Sequence, residues 1–346
     1  MTPTRTTRLA AALALAAIAA SGGPLSAQAR IRIKLATLAP RDTSYHRILL
    51  EMADKWRKAT AGQVDLVIYP GGTQGSEADS VKRMNIGQLQ AGMLSVGGLT
   101  EIDPAVAALQ EIPMLFRSLA EEEYVRDQLR PDLEKRLLAK GYVALFWADS
   151  GWVRFFTRSA ATRPADFKNL KIFVTASNSA TELQLMQALG YKPVALDWAD
   201  VLIQMQTGGV DAVPTVPILA LSGQYYTIAK HMTALNWLPL VGATVITKQA
   251  WDGVPPAMRP VLLEAAADAG RKIQDASRRE NEEAVETMKT KLNVTVHAVS
   301  GQAEEEWRSL AESIYPKIRG PMVPADMFDQ ARRLVDEYRT SHPGTK

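Results

Sequence analysis

The chain has 346 residues, a formal net charge of +3 and no cysteine. Without cysteine it can have no disulfide framework, no lipid anchor on a cysteine and no thiol nucleophile. Its charge is nearly balanced and no basic block stands out, so nothing in it suggests a nucleic-acid partner.

Residues 1–29 read as an export signal. Arg5 and Arg8 form a positive start, Leu9 to Ala20 is an apolar run of h-region length, and Ala27-Gln28-Ala29 is an A-x-A site. Cleavage is expected after Ala29. The run is too short and too weakly apolar for a membrane span, so a soluble periplasmic protein is expected. Losing Arg5 and Arg8 lowers the net charge to +1. What remains is long enough for two lobes with separate cores. With no low-complexity linker, those lobes must be joined by crossing strands and helices.

Arg32 to Thr37 alternates as a first strand and turns at Pro40. Tyr45 to Thr60 places Ile48, Leu49, Met52, Ala53 and Trp56 on one helical face, closed by Gly62. A second strand, Gln63 to Tyr69, runs into the glycine-rich loop 70–77, which lacks the Lys-Ser/Thr ending of a phosphate loop. A helix over Ser76 to Ile86 precedes Gly92 to Gly98, a strand running into a bare glycine turn. Glu111 to Arg117 reads as a packing element, and Glu121 to Lys140 as a charged helix whose polar face needs no functional explanation. Tyr142 to Trp147 is a strand, and Asp149 to Thr157 crosses into the second lobe.

The stretch 168–217 organises the rest. Lys171 to Val174 reads as a buried strand. Ser177 or Asn178 can cap a helix carrying Leu183, Met186 and Leu189, which Gly190 stops. Pro193 to Leu196 is a second strand, and Asp197 an N-cap for a helix carrying Trp198, Val201, Leu202 and Met205. After Thr207-Gly208-Gly209, Val210 to Val213 begins a third strand. Strand–helix–strand–helix–strand with short loops predicts a parallel sheet. Ligands sit off the carboxyl ends of such strands, which places Phe173–Thr175, Asp197–Trp198 and Thr215 near that edge. A short helix over Tyr225 to His231 and a return strand over Leu240 to Thr247 follow. One helix from Met258 to about Leu292 is long enough to span both lobes at about 1.5 Å per residue. A strand near Val294–Ala298 and helices around Ala303–Ile318 and Pro324–Tyr338 complete the chain.

In detail, "LKI-x-V", "LG-x-x-P-V-x-L" and "QTGGVDA" resemble the signature of solute-binding proteins of TRAP (tripartite ATP-independent periplasmic) transporters, and the likeness extends over nearly all of the mature chain. Glu111 to Arg117 and Trp251 to Pro255 resemble further stretches of that family. The resemblance implies an arginine in the middle of the "LKI" strand that pairs with the carboxylate of an organic acid, but Phe173 stands there. A second family arginine, before the lobe crossover, aligns with Val153, with Arg154 one residue on. Adjacent strand residues face opposite ways, so Arg154 replaces the charge only if a bulge or a one-residue gap reorients it. The resemblance further implies ligand contacts at Ser95, Trp198 and Thr215, while Trp152 and Trp237 add bulk near the expected cleft. For each tryptophan the competing explanation is ordinary core packing, and Asp211 reads as a turn or cap residue.

Enzyme signatures are missing: the four histidines are scattered without metal-ligand spacing, and no G-x-S-x-G elbow is present. The expectation is an α/β, bilobed periplasmic-binding (Venus flytrap) fold. Lobe I comprises 30–150 with a return segment at about 241–280, and lobe II comprises 151–240 with about 281–340. Ligand contacts are expected at Ser95, Trp152, Arg154, Phe173, Trp198 and Thr215, with no cofactor and no metal. The resemblance implies a small organic-acid-like solute delivered by a monomer to TRAP permease subunits, and Phe173 in place of the arginine points to one more apolar than a short dicarboxylate. The alternative is a receptor presenting its ligand to a membrane sensor kinase.

Overall fold

A computed structural model describes residues 30–175 and 180–343. The export signal and the Ser177/Asn178 cap lie outside those residues. Eleven strands are described: β1 (Ile31–Thr37), β2 (Val64–Tyr69), β3 (Ala91–Ser95), β4 (Tyr142–Trp152), β5 (Arg154–Thr157), β6 (Lys171–Thr175), β7 (Lys192–Leu196), β8 (Ala212–Thr215), β9 (His231–Thr233), β10 (Pro239–Thr247) and β11 (Thr295–His297). They form two sheets, ordered β2-β1-β3-β10-β4 and β11-β9-β5-β8-β6-β7. β6 pairs in parallel with both β7 and β8, as the strand–helix alternation of 171–215 dictates. β5 and β10 each run antiparallel within their sheets.

Alternation explains the first sheet: Ile33 and Leu35 of β1 are fully buried, against Leu49, Met52 and Trp56 of the helix Ser44–Ala59. The Trp56 indole N–H donates to the Leu262 carbonyl at 3.0 Å, which ties this layer to the long helix Arg259–Lys291. That helix has 33 residues, about 50 Å at 1.5 Å per residue. Its first half buries Leu262, Ala266, Ala269 and Ile273 in the core of the first sheet, and its second half buries Ala284 and Met288 in the core of the second. One rigid rod thus braces both bodies.

The crossover is short and specific. β4 ends at Trp152, opposite Pro239, and Val153 donates its N–H to the Leu238 carbonyl at 2.8 Å before Arg154 opens β5 in the other sheet. Gly151 has φ +82°, and a Cβ there would meet the Asn281 amide at 3.0 Å. Asn281, on the long helix, donates to the Ser150 carbonyl at 2.7 Å and accepts from the Ile218 N–H at 2.9 Å. Only a residue at ease with positive φ and lacking a side chain fits this turn.

Several expectations are corrected. The strand entering 92–98 stops at Ser95, and the bare glycine turn expected after it is one helical turn, Val96–Leu99. Tyr225–Thr227 is a single 3-10 turn, and His231 already belongs to β9. Asp197 makes no side-chain cap; a 3-10 turn, Trp198–Asp200, precedes the helix Val201–Thr207. The polar face of Leu119–Ala139 is partly buried. Arg126 pairs with Glu122 at 3.0 Å and reaches Asp149 at 3.6 Å, and Arg278 pairs with Asp149 at 2.8 Å. Burial pushes the Glu122 carboxyl up to about 8 despite Arg126. The last helix, Ala325–Ser341, which the sequence groups with lobe II, packs instead on Leu119–Ala139, where Arg339 pairs with Glu121 at 2.8 Å.

Candidate functional site

A cavity of about 760 Å³ lies between the two sheets. The first body contributes the end of β3, the segment 71–79, the 110–113 segment and parts of β4 and β10. The second contributes Phe173, Val174 and Thr175 of β6, Asp197 and Trp198 after β7, Thr215 of β8 and Tyr225. These are the carboxyl ends of three parallel strands, where an open α/β sheet leaves its crevice.

On the first side, Glu77 fixes the β3 end. The Ser95 N–H and hydroxyl both donate to its carboxylate, at 2.7 and 2.5 Å. Burial pushes the Glu77 carboxyl up, and the donors from Ser95 and the Gly98 backbone N–H pull the other way. A Cβ on Gly98 would sit 2.7 Å from that of Glu77, so glycine is what lets the carboxylate approach the turn. Glu77 also opens the helix Glu77–Asn85 behind a Ser76–Asp79 capping box, which is why the sequence alone shows it as a helix start.

On the second side three rings form a wall. Trp198 stands edge-on to Phe173 at 4.7 Å between centroids and is stacked against Tyr225 at 6.5 Å. Phe173 is buried behind it, whereas Trp198 is half-buried and faces the cavity. The ring at the position where the resemblance implies an arginine therefore supports an aromatic surface.

Of the sequence-predicted contacts, Ser95, Phe173, Trp198 and Thr215 line this cavity, and Trp152 and Arg154 do not. Trp152 packs against the core of the first body because β4 extends to it. Arg154 lies directly opposite Thr215 in the β5–β8 pairing. Opposed residues share a sheet face, and the Ile172–Ala212 register puts Phe173 on that same face. No described carboxylate pairs with Arg154, and burial holds its guanidinium down at about 10. Trp237, expected near the cleft with core packing as the competing explanation, does both: it lines the cavity while packing on Phe155 at 5.9 Å and Trp307 at 5.3 Å. Asp211, read as a turn or cap residue, instead ties strand segments together: its carboxylate accepts from the Lys171 N–H at 3.1 Å and pairs with Arg158 at 3.5 Å.

The electrostatics were not visible in the sequence. Five carboxyl groups line the cavity (Glu77, Asp79, Glu111, Glu182 and Asp197), and among the described residues no lysine, arginine or histidine does. Glu111 belongs to the first body and Glu182 to the helix Ala180–Ala188 of the second. Burial pushes Glu111 up to about 7, against a hydrogen bond from Gln110. Burial, and then the charge of Glu111, push Glu182 up to about 8.

The model of one family, described as bacterial extracellular solute-binding protein, family 7, matches residues 35–320. A C4-dicarboxylate-binding periplasmic protein of Rhodobacter capsulatus is 24% identical over 289 residues, 83% of this chain and 86% of that protein. A 2,3-diketo-L-gulonate-binding periplasmic protein of Escherichia coli is 27% identical over 232 residues, 66% and 69% of the two chains. In fold, the chain resembles a TRAP periplasmic solute-binding protein of Xanthobacter autotrophicus with bound β-D-galacturonate (TM-score 0.80, 20% identity, 88% and 99% covered). It is similar also to one of Shewanella oneidensis with bound succinate (TM-score 0.81, 18% identity, 89% and 100% covered).

Proposed function

The chain belongs to the bacterial extracellular solute-binding proteins of family 7, of TRAP type, and from that premise we propose that it captures an organic acid larger and more apolar than a four-carbon dicarboxylate and hands it to TRAP permease subunits. The observation that carries the solute class is the cavity itself: an aromatic wall at Phe173, Trp198 and Tyr225, five carboxyl groups and no lining cation among the described residues. A solute with two carboxylates would bring two more negative charges into that space, and an uncompensated buried charge costs several kcal/mol. One carboxylate can be met. Arg154 is a partly buried cation that no described carboxylate neutralises, on the sheet face of Thr215 and Phe173. An anion drawn to Thr215 at the cavity edge gives that guanidinium the partner it lacks. The two sheets with their helices act as lobes that close on the solute, hinged at Gly151–Val153 and Leu238–Pro239 and braced by the long helix.

The test is calorimetry on protein freed of ligand by unfolding and refolding. Aromatic and longer-chain monoacids should bind, succinate and malate should bind far more weakly, and Arg154→Ala should lower monoacid affinity at least tenfold. Sub-micromolar succinate or malate binding would overturn the solute class.

A further inference from the structure

The cavity does not end at the wall of Phe173 and Trp198. Successive strand residues face opposite sides of a sheet, yet Phe173 and its predecessor Ile172 both line it, as do Thr215 and its predecessor Pro214. The space therefore passes round to the far face of the second sheet. There Phe155 is stacked on Trp307 at 5.5 Å and packs on Phe167 at 4.8 Å, and all three rings line the cavity. Beyond them two helices meet. Leu185 and Met186 of Ala180–Ala188, with Leu189 just after it, form one stripe, and Leu310, Ile314 and Ile318 form another, four residues apart, on Gly301–Ile318. All six line the same cavity. Leu185, Ile314 and Ile318 belong to one buried cluster, and Met186, Leu189 and Leu310, each half-buried, pack around that of Trp307.

Resting on the organic-acid reading above, we propose that this arm between the two helices is a tail subsite, which takes the hydrocarbon tail of a solute whose carboxylate stays at the Thr215 and Arg154 end. A four-carbon diacid fills little of a cavity of about 760 Å³ and touches little of the apolar arm. A tail displaces water from apolar surface on both helices, and each methylene entering the arm should tighten binding about fourfold, equivalent to about 0.8 kcal/mol. The gain stops when the arm is full.

The experiment is calorimetry of ligand-free protein with a series of straight-chain monocarboxylates from butanoate to decanoate. Affinity should climb about fourfold per methylene and then level off. Met186→Trp, at a half-buried position on the arm wall, should move the plateau to shorter chains and leave the shortest acid unaffected. Leu310→Trp, from the opposite helix, should do the same and guards against a folding defect in the first variant. Monoacids that bind with no dependence on chain length would overturn the tail subsite and leave the organic-acid reading standing. Binding of none of these acids, with a solute of another class found in the protein, would overturn both. A plateau unmoved in both folded variants would also place the tail elsewhere and refute the subsite.

Discussion

Replacing Trp198 by alanine separates a binding role from a packing role. In the free protein the ring is half-buried and makes two aromatic contacts, edge-on to Phe173 at 4.7 Å and stacked on Tyr225 at 6.5 Å. Such pairs contribute about 0.5–1.5 kcal/mol each beyond area burial, and the exposed part of the ring contributes nothing to folding. Trp198→Ala should therefore cost about 1–3 kcal/mol of stability, below the roughly 3–5 kcal/mol usual for a fully buried tryptophan. The ring's free face lies on the cavity, and covering it with solute should yield about 1–3 kcal/mol. The variant should accordingly bind about 5- to 150-fold more weakly. Urea unfolding and calorimetry on the same preparation give both numbers. Affinity within twofold of wild type beside a large stability loss would refute the reasoning and return Trp198 to the core.

Two further outcomes follow from the other wall. Burial holds Glu111 and Glu182, one on each body, up at about 7 and about 8, above the ordinary value of about 4.5, so the lobe closure proposed above should take protons up and lobe separation should release them. Solute affinity should then be greatest in acid, fall as pH rises from about 5, and level off past about 8; Glu182→Gln should flatten the profile, and a wild-type affinity that rises with pH would contradict the sign. Gly98→Ala puts a Cβ 2.7 Å from that of Glu77 and should destabilise the protein by about 1–3 kcal/mol in urea titrations, with weaker solute binding because Ser95 loses its anchor; unchanged stability would show that the turn yields freely.

Much of the architecture was legible because local rules and global fold agree. The alternation of Ile31–Thr37, the breaks at Gly190 and Gly208 and the uninterrupted 259–291 helix each point to the element observed. Strand ends were legible as well, so Ser95, Phe173, Trp198 and Thr215 could be placed on one rim. What escaped depends on elements meeting across the cleft. Glu111 looks like the start of a packing segment and Glu182 like an acid in a first helical turn, and neither position hints that they share a cavity. The helix over 180–188 misled in a related way: the stripe expected from Leu183, Met186 and Leu189 is in fact Glu182, Leu185, Met186 and Leu189, because the packing partner and not the spacing chooses the face. Trp152 was misplaced because alternation could not show that β4 continues to it, and Arg154 hinged on where that strand ends.

The most direct measurement is mass spectrometry of whatever small molecule is released on denaturing the purified protein. The account predicts an organic acid with a single carboxylate and a hydrocarbon portion long enough to enter the arm between the helices Ala180–Ala188 and Gly301–Ile318. Release of succinate, malate or another short diacid in stoichiometric amount would contradict it.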